Sequence, residues 1–296
     1  MKTRKICMGI ATIMVFLFHV LPMNKIDRNL VQMGILGVDI FALCMGISFC
    51  FKMKKEPIVS FKDYIQYCIL RFIRLYIPFF ISVNIESLIK YICFHTFNLN
   101  KYISTILLYG IMKQSLYYWY VLFALFMSFI LPILYKINNK ITVLILSIFL
   151  SCALPYPLLS GRILVCVCGL YYFELTENIK KYIGYCFPFI VLITYIVYRN
   201  QFLQNNLFYM FGSLFAIGFV CLMETISKQN KVIETIGNYS YEVYLTVTWL
   251  VNCVFFLPFN IVGKYIVLFV STTILVLINK KISTRLIHKI RNHLIC

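Results

Sequence analysis

The sequence predicts an all-α fold: a polytopic membrane helix bundle of about ten transmembrane helices, with the N- and C-termini cytoplasmic. Three observations lead there. Of the 296 residues 61% are hydrophobic and 13% charged, about half the charged fraction of a soluble domain, and the mean hydropathy is +0.86. Apolar runs of roughly the length that crosses a hydrocarbon core recur along the chain. The 28 Lys and Arg residues fall unevenly between alternate loops, as the positive-inside rule requires. The period-two alternation of a membrane β-barrel is absent.

The apolar runs place spans near 6–23, 31–51, 75–95, 117–136, 141–159, 162–176, 183–198, 207–226, 240–258 and 264–279. The first run is longer than the core of a secretion signal and lacks a small-x-small cleavage site, so it is expected as a retained span. Segment 102–112 is apolar over only half a span and is expected to be re-entrant or interfacial. This count puts twenty basic residues on the cytoplasmic side, among them Lys54, Arg71, Arg74 and Lys280. Seven fall outside: Lys25, Arg28, Lys101, Lys113, Arg162, Arg199 and Lys264. The tail from Lys280 alternates basic and apolar residues, which suits an anionic inner leaflet. The expected organisation is therefore a transmembrane domain over 1–279 and a basic cytoplasmic tail over 280–296.

Composition also excludes. The net charge of +18 sits in short loops between apolar runs, so it reports topology rather than a nucleic-acid partner. Twelve cysteines are scattered without a CxxC pair, so neither a disulfide framework nor a metal site is expected. No Walker-type GxxxxGK[ST], GxSxG or HExxH sequence occurs.

Four residues stand out for chemistry. His19 lies inside the first apolar run, where an imidazole is costly unless it faces a cavity or a polar partner. Asp39 lies in the second run, about 12 Å below the outer interface against about 6 Å for His19. At those depths a carboxylate could orient the imidazole and leave its other nitrogen as a base. Alternatively, His19 only bridges helices through a hydrogen bond. Arg71 and Arg74 share a helix face at i, i+3 where the basic inner loop enters the third span. Two guanidinium forks suit a phosphate, but paired arginines at such a boundary also anchor topology and lipid headgroups. Glu86 and Lys90 are spaced to pair, either to hold the bundle or to line a polar path. Snorkelling accounts for Arg162 and Glu174 near opposite ends of one span, and Trp119 suits an aromatic belt.

The order of these pieces resembles acyltransferase family 3, the integral-membrane carbohydrate O-acyltransferases. Gly9 followed by Val15-Phe16-Leu17-Phe18-His19 is similar to that family's first span, and Gly34 to Phe41 with Gly46 to its second. Arg71-Phe72-Ile73-Arg74 with Pro78, Trp119-Tyr120 with Pro132, and Arg162 with Gly169 resemble later motifs. Gly237-Asn238-Tyr239-Ser240-Tyr241-Glu242-Val243-Tyr244-Leu245 is similar to the start of a late span. The resemblance implies an O-acyltransferase, in the simplest case an O-acetyltransferase, of a bacterial-type inner membrane. It implies acetyl-CoA or another acyl-CoA as donor, no metal, and a surface or lipid-linked carbohydrate as acceptor. It carries catalysis onto His19 and donor binding onto Arg71 and Arg74; Asp39 as the partner that orients His19 is the reading from depth alone. Because His19 lies near the outer side and Arg71 near the inner, the donor's long arm would have to reach through the bundle. The chain departs from the pattern at Met8, where the family commonly has Arg, and at Met45, Ala124 and Val247. Met8 leaves two alternatives: an enzyme that uses Arg4 or Lys5 instead, or a non-catalytic transporter, flippase-like or scaffold protein of polysaccharide assembly.

Overall fold

The structure is a computed structural model that describes residues 2–21, 33–111, 116–154, 157–199, 206–226 and 229–295. Pro22 and Met23 at the end of the expected first span, and Lys25, Arg28, Lys113 and Lys228, lie outside the described residues. Helices account for nearly all of the rest, and no strand occurs among the described residues. The helices are α1 (Lys2–Val20), α2 (Leu36–Lys55), α3 (Phe61–Phe94), α4 (Leu99–Ile106), α5 (Trp119–Lys136) and α6 (Lys140–Ala153). They continue with α7 (Pro157–Tyr171), α8 (Glu177–Arg199), α9 (Asn206–Ile226), α10 (Lys231–Asn238), α11 (Ser240–Phe255) and α12 (Ile261–Ile295). Asn98, Asn139 and Asn230 cap α4, α6 and α10 by accepting first-turn backbone N–H groups, the role short amide side chains favour.

Five helices are long and apolar enough to cross a membrane: Thr3–Val20, Met33–Lys55, Phe61–Phe94, Trp119–Lys136 and Ile261–Asn292. The other expected spans are helical but do not meet both conditions over their described residues. Segment 102–112 contributes to no span: α4 is eight residues long. Two expected boundaries do not appear as breaks. The 34 residues of α3 extend about 50 Å, more than a hydrocarbon core of about 30 Å, so one helix carries both the basic entry and the apolar span. Likewise, α12 runs through Lys280 without interruption, so the basic tail continues the last span as helix.

The chain forms two compact units, Met1–Phe61 with Met127–Ser240, and Lys62–Phe126 with Tyr241–Cys296. In the first, α2 is the centre. Fourteen of its twenty residues are buried, as befits a helix apolar on every side, and it packs on α1, α7 and α9. Glycines set these crossings. A Cβ on Gly46 would meet the Cys166 carbonyl oxygen at 2.0 Å, and one on Gly169 would meet that of Leu43 at 2.5 Å. On α1, a Cβ on Gly9 would strike the Ile233 carbonyl oxygen of α10 at 2.1 Å, and one on Gly237 would strike that of Lys5 at the same distance. In lipid, helix association draws on close backbone approach rather than on apolar burial, so small residues belong at the contacts.

In the second unit, Ser82 of α3 donates to the Leu245 carbonyl at 2.8 Å and accepts from the Trp249 indole at 3.3 Å. Pro78 interrupts the hydrogen-bond ladder of α3. Around it, Asn279 of α12 donates to the Pro78 carbonyl at 3.0 Å and Tyr241 of α11 to that of Leu75 at 2.8 Å. Side chains from two other helices thus support the interrupted turn.

Gly46→Ala is expected to lower stability by about 1–3 kcal/mol, the usual cost of overpacking. Gly263→Ala has its nearest obstacle at 3.1 Å, on the side chain of Asn260, and is expected to cost less. Thermal unfolding of the two purified variants in one detergent checks the order.

Candidate functional site

Within the first unit, Asp39 stands in the first turn of α2 and Arg162 in α7. Asp39 Oδ1 lies 3.2 Å from Arg162 Nε, with the two side chains 2% and 0% exposed. Snorkelling therefore does not describe Arg162: it points inward, to a carboxylate. A buried guanidinium in a membrane helix needs a partner of this kind. Gly212 of α9 makes room, since a Cβ there would lie 2.7 Å from the Asp39 carboxylate.

This arrangement corrects the expected partnership of Asp39 with His19. Gly34 abuts Met14 and Phe18, whereas Gly37 abuts Ala11, Met14 and Val15. The two helices are therefore antiparallel, and Asp39 comes level with about Ala11. His19 stands roughly two turns away, about 12 Å along α1. Depth counted from the span ends ignored this register. His19 is half-buried at the end of α1, its ring edge-on to Phe18 with centroids 5.1 Å apart. At the other end of α1, Arg4 Nη1 donates to Ser48 Oγ, which donates to the Cys44 carbonyl. Arg4, one of the candidates to replace the cation expected at Met8, is thus tied to α2.

The second unit holds Arg71 and Arg74 on α3. Arg74 experiences the like charges of Arg71 and of Arg291, from the last turns of α12. The Arg71 Nε is buried without a hydrogen-bond partner. Two guanidinium groups on one face of α3, one with an orphaned buried donor, form an anion-seeking arrangement. Arg291 escaped the sequence reading because it is remote from Arg74 along the chain and sits in a tail expected to lie on lipid.

The late-span motif also acquires a physical meaning. Tyr241 supports α3 as described, and Tyr244 donates to the Tyr117 carbonyl at 2.7 Å while accepting from the Tyr120 N–H at 3.1 Å. Glu242 pairs with Lys280 at 2.9 Å. Trp119 is buried rather than lying in an aromatic belt. The expected Glu86–Lys90 pair forms, and the fully buried Tyr118 donates to the other Glu86 oxygen. By contrast, Glu174 makes an exposed pair with Lys140.

Removing one partner of a buried pair costs more than removing both. Arg162→Met is therefore expected to lose about 3–5 kcal/mol, and the double variant Asp39→Leu/Arg162→Met to recover part of that loss. Chemical denaturation of the three purified proteins in mixed micelles reads the difference.

Comparison with curated proteins and with solved structures finds no match. A family model described as an acyltransferase domain matches residues 8–279, a stretch that contains His19, the Asp39–Arg162 pair, Arg71 and Arg74. The chain belongs to acyltransferase family 3, and it is a membrane acyltransferase.

Proposed function

We propose that the chain moves an acyl group, acetyl in the simplest case, from acyl-CoA to a hydroxyl of a cell-surface carbohydrate, in the inner membrane of a bacterial-type cell. The observation that carries the donor half of this reading is the buried Arg71 Nε without a hydrogen-bond partner, on the face of α3 that it shares with Arg74. A nucleotide thioester presents phosphates to such a pair, and charge-assisted forks are the strong hydrogen bonds of proteins. The thioester supplies an activated acyl carbon. The arginines hold the phosphates, and α3 carries them on its basic first turns, in keeping with the ten-span topology and cytoplasmic termini expected from charge.

His19 is the general base in this proposal. Its half-buried ring takes the proton of the acceptor hydroxyl as that oxygen attacks the acyl carbon; the carbon–sulfur bond then breaks, and the imidazolium's proton goes to the departing thiolate. Such a base contributes about 10²–10⁴-fold to rate. Asp39 acts at a distance: paired with Arg162, it holds α2 against α7 and so fixes the helix on which α1 rests. The chemistry needs no metal.

The test is transfer from radiolabelled acetyl-CoA to surface glycan in membranes with and without the chain. Label is expected in the glycan only with the chain. Arg74→Gln is expected to raise the KM for donor about tenfold or more, since a hydrogen bond to a charged group contributes about 1.5–3 kcal/mol, while kcat changes less. No transfer at all would favour the transporter or scaffold reading, and an unchanged KM would detach the arginines from the donor.

A further inference from the structure

A cavity of about 240 Å³ lies within the second unit, where the C-terminal half of α3 faces α4. Its wall carries Glu86, Lys90 and Lys101, together with Ser87, Asn98 and Thr105. Its shape is held by the chain's own geometry. His95 takes the left-handed conformation at φ 50°, as the residue just past a helix end often does, and the Thr96 N–H bonds back six residues to the Lys90 carbonyl at 3.1 Å. This turn brings 96–98 over the cavity. Tyr102 donates to Asn84 at 2.8 Å, fixing α4 against α3. Glu86 is held in place by Tyr118 and Lys90.

The cavity does not end in polar surface. It shares Ser87, Phe97 and Tyr102 with an open groove of about 540 Å³, continued by Ile85, Leu88 and Tyr91 along α3. Leu88 and Tyr91 are 58% and 62% exposed, on a helix apolar enough to span. A polar chamber that opens into an apolar groove on a membrane helix matches an amphiphile: headgroup in the chamber, chain in the groove. Two ammonium groups to one carboxylate favour an anionic link between them, and hydroxyl, amide and aromatic side chains suit a hydroxylated ring.

We infer that this chamber and groove bind a glycolipid whose sugar is joined to its chain through a phosphate. The ligand is the acyl acceptor if the proposed function holds, and only that identification rests on it; the binding site does not.

The probe is dodecyl-phospho-glucose carrying a diazirine in its alkyl chain, added to the full chain in nanodiscs and photolysed. The label is expected on the peptides that contain Leu88, Tyr91 and Phe97. Unlabelled dodecyl-phospho-glucose is expected to compete at least tenfold better than dodecyl phosphate or dodecyl glucoside. Ser87→Leu, which fills the junction of chamber and groove, is expected to abolish the competed label, and Lys101→Gln to weaken competition several-fold. The melting temperature of each variant separates loss of the site from loss of the fold, and Lys101→Gln, at the rim, decides the matter if Ser87→Leu does not fold. Equal competition by dodecyl phosphate, label spread over all apolar helices, or label unchanged in a folded variant would overturn the inference. No acyl-CoA is present in this assay. Failure of labelling therefore leaves the donor reading intact, and failure of acyl transfer leaves this site intact.

Discussion

The Asp39–Arg162 pair is the constraint on which the first unit turns. Both groups are removed from solvent, and neither could remain charged there alone. Once they meet, α2 is placed against α7. Seven residues further along each helix come Gly46 and Gly169, whose backbones approach too closely for any side chain. The equal spacing means that α2 and α7 run parallel, with the ion pair two turns from the glycine crossing. The same carboxylate requires Gly212 on α9. One polar contact and two glycine contacts therefore set the register of the central helix against two of its neighbours.

That register separates two kinds of residue that look alike in the sequence. His19 and Asp39 are both polar groups in apolar spans at comparable depth. Only the glycine contacts between α1 and α2 show that they lie about two turns apart. Asp39 pairs with Arg162, and the base proposed for the reaction is His19, at the end of its helix. In the second unit, the charge of Arg291 on α12 is felt at Arg74 of α3.

How much of this was legible follows from the physics of each feature. The helical membrane class was readable, because backbone polar groups in lipid must bond within their own segment and apolar length then reports directly. The ordered motifs were readable as a family, but not in what they do. Gly9, Gly46, Gly169 and Gly237 mark helix crossings, and Tyr241 and Tyr244 are ties to backbone carbonyls. The Asp39–Arg162 pair was within reach, since a carboxylate and a guanidinium in separate apolar runs both require partners; reading Arg162 as snorkelling hid it. The Glu86–Lys90 pair was read from spacing alone, but its third member, Tyr118, was not, because no local pattern links it to Glu86. The continuity of α3 and α12 past the expected span ends was missed because hydropathy marks where lipid ends, not where the helix does.

The central claim is that Asp39 serves the fold and His19 the reaction. It is tested most directly by measuring melting temperature and acyl transfer per folded molecule on the same purified samples of His19→Ala and Asp39→Asn. The account predicts that His19→Ala melts like the parent and loses transfer by about a hundredfold or more. Asp39→Asn should melt well below the parent while its folded fraction still transfers. A His19→Ala protein with full transfer, or an Asp39→Asn protein that keeps its melting temperature and loses transfer, would contradict it.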